Sequence, residues 1–301
     1  MQQQARKIQK RVRNDFKRKR IPAGELTLDW ARSNVELTER KLNILKALYA
    51  KHLLRIDQLE YFLPNFGHQK QSQLLLRRDI NKLHEVHFLD KATKKPMYLW
   101  NGDRKRTEVI AMGQIGTQFV GWKYHYKRIK YQDGGTILPR TAHHILRIHD
   151  MEIQTREFLK KMNVEVVAWE HECGNLIVKH PNELNPDAFF AMLDHTTGKS
   201  YTAFAEYDTG KDDFKCAKKF PNLTKKFERY REVKNWGAWY QKDLSTQSEN
   251  KFPHLFFVTE DQKRFPVVPE IISSYGLDHT TCMQQDYVQE LENFIHRMRA
   301  K

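Results

Sequence analysis

The sequence predicts an α+β chain in two parts, a small helical unit closed by a hairpin and then a larger α/β domain. Three observations predict this. Residues 36–101 hold three successive segments with apolar positions at helical spacing, followed by a short extended stretch. Residues 140–301 instead interleave helix-like segments with short runs rich in valine and aromatic residues. With 301 residues, 40% hydrophobic and 12% aromatic, the chain can fill two cores and is not of the disordered class. The expected organisation is a basic arm (1–35), the helical unit (36–101), a connector (102–139) rich in charge and glycine, and the second domain (140–301).

In the helical unit, Thr38 is placed to cap a helix carrying Leu42, Leu45 and Leu48 on one side. A second helix, about Arg55 to Phe62, presents Ile56, Leu59 and Phe62 and stops at Pro64. A third, about Gln69 to His84, has Leu76, Ile80 and Leu83 as its inner stripe and leaves Gln71, Arg78 and Lys82 facing outward. "VHFLDKATKKPMYLW" then reads as two short strands around a lysine-rich tip, Lys91 to Lys95. Three helices followed by a hairpin form the winged helix-turn-helix pattern, in which the third helix enters the major groove of DNA and the wing touches backbone. Gln71, Arg78 and Lys82 are therefore expected at base edges or phosphates, and Lys94 and Lys95 at phosphates.

Charge points to the same partner. The formal net charge is +15, and residues 1–20 hold nine Lys/Arg against Asp15, contributing 9 − 1 = +8 of it. Residues Lys211 to Lys234 hold nine more cations against four acids. An excess of this size favours a polyanion, and double-stranded DNA is the expected one, with Arg18, Lys19 and Arg20 of the arm among the phosphate contacts. Acidic lipid is a poorer match, because the arm carries few bulky apolar residues to insert. No apolar run approaches the ~18 residues of a membrane span, and the polar N-terminus lacks the apolar centre of a secretory signal. Cys173, Cys216 and Cys282 are far apart with no CxxC pair, as expected of free thiols in the cytoplasm.

The second domain gathers carboxylates. A helix with Asp150, Glu152 and Glu157 leads into a strand, "VEVVAWEHE", that ends in Glu170 and Glu172. Two strands follow, with Asp187 opening the first and Glu206 and Asp208 closing the second. A six-residue loop, Asp194 to Lys199, pairs Leu193 with Ser200 and hence Asp187 with Glu206. Side chains directly opposite on one face stand about 5 Å apart. Two carboxylates at that spacing suit a hard divalent cation, so Asp187 and Glu206 are candidate magnesium ligands. Such an ion could activate water against a phosphodiester. One residue of slip would send the pair to opposite faces. A basic helix (about Asp212 to Val233) and a strand, "HLFFVTE", complete the order helix, strand, strand, strand, helix, strand.

"NPDAFF" followed by "FAEYD" resembles the PD-(D/E)XK nuclease superfamily. More narrowly, the chain resembles the replication-relaxation family of plasmids and other mobile elements over roughly residues 38–265. The matching features are the winged unit, the helix with His144, Trp169 to Glu172, "PDAFF", "AEYDTG", the basic segment ending in Tyr230, and "PHLFFVT". The resemblance implies an N-terminal winged helix-turn-helix domain followed by an α/β PD-(D/E)XK nuclease-like domain. It further implies DNA binding in plasmid replication, conjugative transfer or their control, with replication or transfer proteins of the same element as partners. The superfamily's Glu-X-Lys has Asp208 where the lysine would stand. Lys211, Lys215 and Lys219 of the next helix are the candidate substitutes. The expected function is DNA binding with a non-catalytic nuclease-like domain. The alternative is a magnesium-dependent endonuclease or nickase using Asp187, Glu206 and Asp208, and a protein-interaction adaptor fits the charge poorly.

Other signals carry less. "TTGKS" (Thr196 to Ser200) has Leu193 where a phosphate loop needs its first glycine. "GQIG" (Gly113 to Gly116) is too short for a nucleotide fold. His143, His144, His149 and His171 lack cysteine partners at finger spacing and are expected as ordinary surface or core residues. The last helix, with Tyr287, Leu291, Ile295 and Met298 at helical spacing, is expected to be a core or docking element.

Overall fold

The computed structural model describes residues 25–64, 70–100, 103–121, 129–132, 135–171, 184–210, 221–236 and 252–300. The protein is a mixed α+β chain. It divides into two compact units, residues 1–149 and 150–301. No helix among the described residues is long and apolar enough to cross a membrane.

The first unit runs α1 (Leu28–Asn34), α2 (Glu39–Lys51), β1 (Leu53–Arg55), α3 (Ile56–Phe62), α4 (Lys70–Glu85), β2 (Leu89–Tyr98), β3 (Arg104–Met112), α5 (Gln114–Phe119), β4 (Lys130–Gln132) and β5 (Gly135–Ile137). β1, β3 and β2 form an antiparallel sheet in that order. Leu45 and Leu48 of α2, Leu59 of α3 and Leu76, Ile80 and Leu83 of α4 meet in one core. Thr38 stands at the α2 N-cap, but its side chain makes no capping bond. Thr27 does cap α1, accepting from the Trp30 N–H at 3.2 Å.

Several expected boundaries move. The last part of the expected arm forms α1, and Ala31 is wholly buried in the core, because "LTLDWA" carries both a cap and an apolar face. The expected hairpin around Lys91 to Lys95 is instead one strand, β2, with an irregularity between Ala92 and Lys95. Its partner is β3, in the expected connector, paired as Met97 with Lys105 and Tyr98 with Arg104. Just beyond the last pair, Tyr98 with Arg104, Leu99 N–H donates to the Asp103 carbonyl at 2.8 Å. In the sequence, the Asn-Gly between these strands is better turn chemistry than the lysine run. Residues 109–112 of β3 are buried apolar chain rather than linker, with Val109, Ile110, Ala111 and Met112 all in the core.

"GQIG" is also a packing device. A Cβ on Gly113 would overlap the His87 carbonyl oxygen, and one on Gly116 the Phe88 carbonyl oxygen. These glycines let α5 lie against the backbone that enters β2.

The division between the units falls within α6 (Ala142–Lys161). Its first half belongs to the first unit, where Ile145 and Leu146 pack with Leu53 and Val109. Gln58, fully buried, donates to the Leu146 carbonyl at 2.8 Å.

The second unit continues with β6 (Val164–His171), β7 (Ala188–Asp194), β8 (Lys199–Asp208), α7 (Pro221–Trp236), β9 (His254–Thr259), α8 (Val268–Ser274), β10 (His279–Met283) and α9 (Tyr287–Arg299). One five-stranded sheet has the order β10-β9-β8-β7-β6. β6, β7 and β8 are antiparallel, whereas β9 joins β8, and β10 joins β9, in parallel through helical crossovers. Pro221 opens α7, suited to a first turn that needs no N–H. The expected start of the basic helix, about Asp212, falls in residues 211–220, which lie outside the described part.

Phe189, Phe204 and Phe257 face Phe227 and Tyr230 of α7 and Ile272 of α8. On the other side, Phe256 meets the rings of Tyr287 and Phe294 of α9. With Tyr287, Leu291, Ile295 and Met298 buried, α9 is a core helix. Arg299 clamps Asp194 bidentately at 2.8 and 2.9 Å and holds that carboxyl well below the usual carboxylate range. β6 pairs with β7 through a bulge between Val166 and Ala168, and Val167 is exposed.

Gly116→Ala is expected to destabilise the protein by about 1–3 kcal/mol through overpacking. Gly135→Ala, with nothing within 4 Å of its added methyl, should be nearly neutral. Urea unfolding of both variants checks this, and equal midpoints would refute the packing role of Gly116.

Candidate functional site

In the first unit, α4 is polarised. Leu76, Ile80 and Leu83 face the core, and Leu74, Arg77, Arg78, Asn81 and Lys82 are exposed. The helix is oriented by an ion pair between its buried Asp79 and Arg40 of α2. Beside it, Lys91 of β2 donates to Asn81 Oδ1 at 2.7 Å, and Lys91 and Arg77 each lie 3.8 Å from Glu108. Lys82 pairs with Glu85 at 3.3 Å, an exposed contact worth little. Arg78 makes no ion pair among the described residues. At the far end of the hairpin, Arg104, Lys105 and Arg106 are all exposed.

The structure thus sets Arg78 and Lys82 on one outward face. Gln71 lies in α4 and Lys94 and Lys95 in β2, but their side chains fall outside the described part, as do Arg18, Lys19 and Arg20. The cations that flank the reversal, Arg104 to Arg106, were missed in the sequence because they were assigned to a connector. Their signal was the "NG" just before them.

In the second unit, β7 pairs with β8 in the register Leu193 with Ser200 and Ala188 with Ala205. One step further sets Asp187 opposite Glu206. Asp187 Oδ2 accepts the Tyr207 backbone N–H at 2.8 Å, which fixes its carboxylate at the strand end. Glu206 is only 2% exposed, and α7 supplies both of its named partners. Lys226 Nζ binds Glu206 Oε2 and lies 3.8 Å from Asp187 Oδ1. Tyr230, one turn on, donates its hydroxyl to Glu206 Oε1 at 2.5 Å.

Burial pushes the Glu206 carboxyl up, to about 8, against the downward pull of Lys226 and with a further upward push from Asp187. Burial pulls the Lys226 ammonium's pKa down, but Asp187 and Glu206 beside it outweigh that and raise it.

Asp208 is engaged elsewhere. Its carboxylate receives Arg264 Nη1 at 2.7 Å, the Thr259 hydroxyl at 3.0 Å and the Gly210 N–H at 3.1 Å. It closes the β8 end against β9 and the chain after it. The positive groups that answer the clustered acids are therefore Lys226 and Arg264 of the chain itself. Lys211, Lys215 and Lys219 lie outside the described residues.

Magnesium fits this arrangement poorly. Both Glu206 oxygens and Asp187 Oδ2 already accept protein donors, and a metal ion would have to displace the Lys226 ammonium. Of the histidines, His149 Nε2 meets the Lys51 carbonyl at 2.9 Å, and His171 Nε2 meets Glu152 at 3.1 Å.

Comparison with family models, with curated proteins and with solved structures gave no match.

A carboxyl with a higher pKa folded than unfolded takes up a proton on folding. Glu206, at about 8 against an ordinary 4.5, should thus favour the folded state at low pH and do so less as pH rises between those values. The urea midpoint of the wild type should fall more steeply from pH 5 to pH 8 than that of Glu206→Gln. Parallel slopes would mean that Lys226 keeps Glu206 ionised throughout.

Proposed function

We propose that this protein binds double-stranded DNA and serves a plasmid or other mobile element in replication, conjugative transfer or their control. The first unit acts as a winged helix-turn-helix domain, with α4 as the groove-reading helix and β2–β3 as the wing. The second unit acts as a PD-(D/E)XK nuclease-like domain that is not a catalyst, and the protein works in the cytoplasm beside replication or transfer proteins of the same element. The observation that carries this is the outward face of α4, where Arg78 and Lys82 are exposed, together with the basic strand start Arg104 to Arg106. The formal charge of +15 supports it.

Each lysine or arginine at a phosphate releases condensed counterions, so binding falls with salt by a slope of about 0.9 per contact. Replacing Arg104, Lys105 and Arg106 together by alanine should flatten the log-affinity against log-salt slope by up to roughly 2.7. Gel-shift titration over a series of salt concentrations measures it. An unchanged slope would remove the wing from the interface, and no shift at all would refute DNA binding.

The magnesium-dependent endonuclease is the second reading, and one contact favours it. Lys226 brings an ammonium to the paired carboxylates, supplying from the following helix the charge that Asp208 cannot. The engaged oxygens weigh against it. Supercoiled plasmid incubated with the protein and magnesium is expected to stay intact. Efficient nicking that disappears in both Asp187→Ala and Glu206→Ala would promote the enzyme.

A further inference from the structure

Leu74 is the most exposed large apolar side chain named among the described residues, at 61%. It stands on α4, among the exposed Arg77, Arg78, Asn81 and Lys82. At about 100° per residue, Leu76, Ile80 and Leu83 cluster on one side of the helix and Leu74 falls almost diametrically opposite. Arg77 lies to one side of it, Arg78 to the other, and Asn81 two turns along nearly in line. Leu74 is therefore at the crest of the outward face, where nothing in the first unit's core can cover it.

A leucine at that point has no favourable partner in water, and its neighbours select a polyanion. Among the four bases, only thymine offers the major groove an apolar group, its 5-methyl. We propose that Leu74 is a specificity-determining residue that packs on the 5-methyl of a thymine in duplex DNA. This rests on the proposed DNA-binding function of α4 and deepens it. Leu74 and Arg78 are four residues apart, about 6 Å along the helix axis. Base pairs are spaced about 3.4 Å apart. The thymine thus falls one or two base pairs from the position that Arg78 contacts. The contact is purely apolar, so it should be insensitive to salt, unlike those of the neighbouring arginines.

The test uses the full chain. A preferred site is selected from a random duplex pool, and each thymine in it is then replaced by uracil, which removes only the methyl. One thymine, within two base pairs of a position at which Arg78→Ala loses discrimination, should cost the wild type about fourfold in affinity when demethylated. This is the worth of one buried apolar carbon. Leu74→Ala should show no difference between thymine and uracil there, and should match the wild type on the uracil duplex. A penalty that persists in Leu74→Ala, or no sensitive thymine near the Arg78 position, would overturn the assignment while leaving DNA binding intact. A change in the mass of Leu74→Ala by light scattering without DNA would give the leucine to a second copy of this chain, and also overturn it. Failure to select any site or to shift random duplex would instead remove the DNA-binding reading on which it rests.

Discussion

A carboxylate is buried on the helix-facing side of a five-stranded sheet, and the second unit is arranged to tolerate it. Glu206 lies on β8, the middle strand, where the antiparallel and parallel halves of the sheet meet. An isolated ion there would cost many kcal/mol or lose its charge. Instead α7 brings Lys226 and Tyr230 to its two oxygens, while Phe227 and Tyr230 pack into the apolar layer beneath. The same helix thus both covers the sheet and supplies its compensating charge. The position of α7 is consequently specified in rotation as well as in depth, since turning it would bury the acid without a partner.

The first unit solves a different problem with the same economy. A helix of sixteen residues must bury one side and expose a cationic one, and the Asp79–Arg40 pair keeps it from rolling. The hairpin that follows is tied to the helix by Lys91, which bridges Asn81 and Glu108. Helix and hairpin are therefore braced against each other at Lys91 rather than hung as independent loops.

Much of this was legible in the sequence wherever the cue was local. The helices over Glu39–Lys51, Ile56–Phe62 and Lys70–Glu85 follow from their apolar spacing, and the β7–β8 register is the expected pairing of Leu193 with Ser200, closed by the paired Asp194 and Lys199. Elements that depend on distant partners were not legible. β3 looked like a linker because its first three residues are charged, and only pairing with β2 reveals it. Lys226 could not be singled out from the nine cations between Lys211 and Lys234, because only the docking of α7 makes one of them face inward. Arg264 was invisible for a similar reason. It reaches Asp208 across 56 residues, through a parallel strand pairing that no nearby motif announces. Asp208 therefore looked like a third member of the acidic site, although its charge closes a strand end.

The bulge in β6 has a consequence for strand pairing at the sheet's edge. Among the described residues β6 and β10 are the outer strands of the second unit's sheet, and an outer strand offers unused backbone donors and acceptors to any passing extended chain. The extra residue at Val167 interrupts that row and twists it, so that a neighbouring molecule cannot zip along the full length of β6. β10 is only five residues long and offers little more purchase.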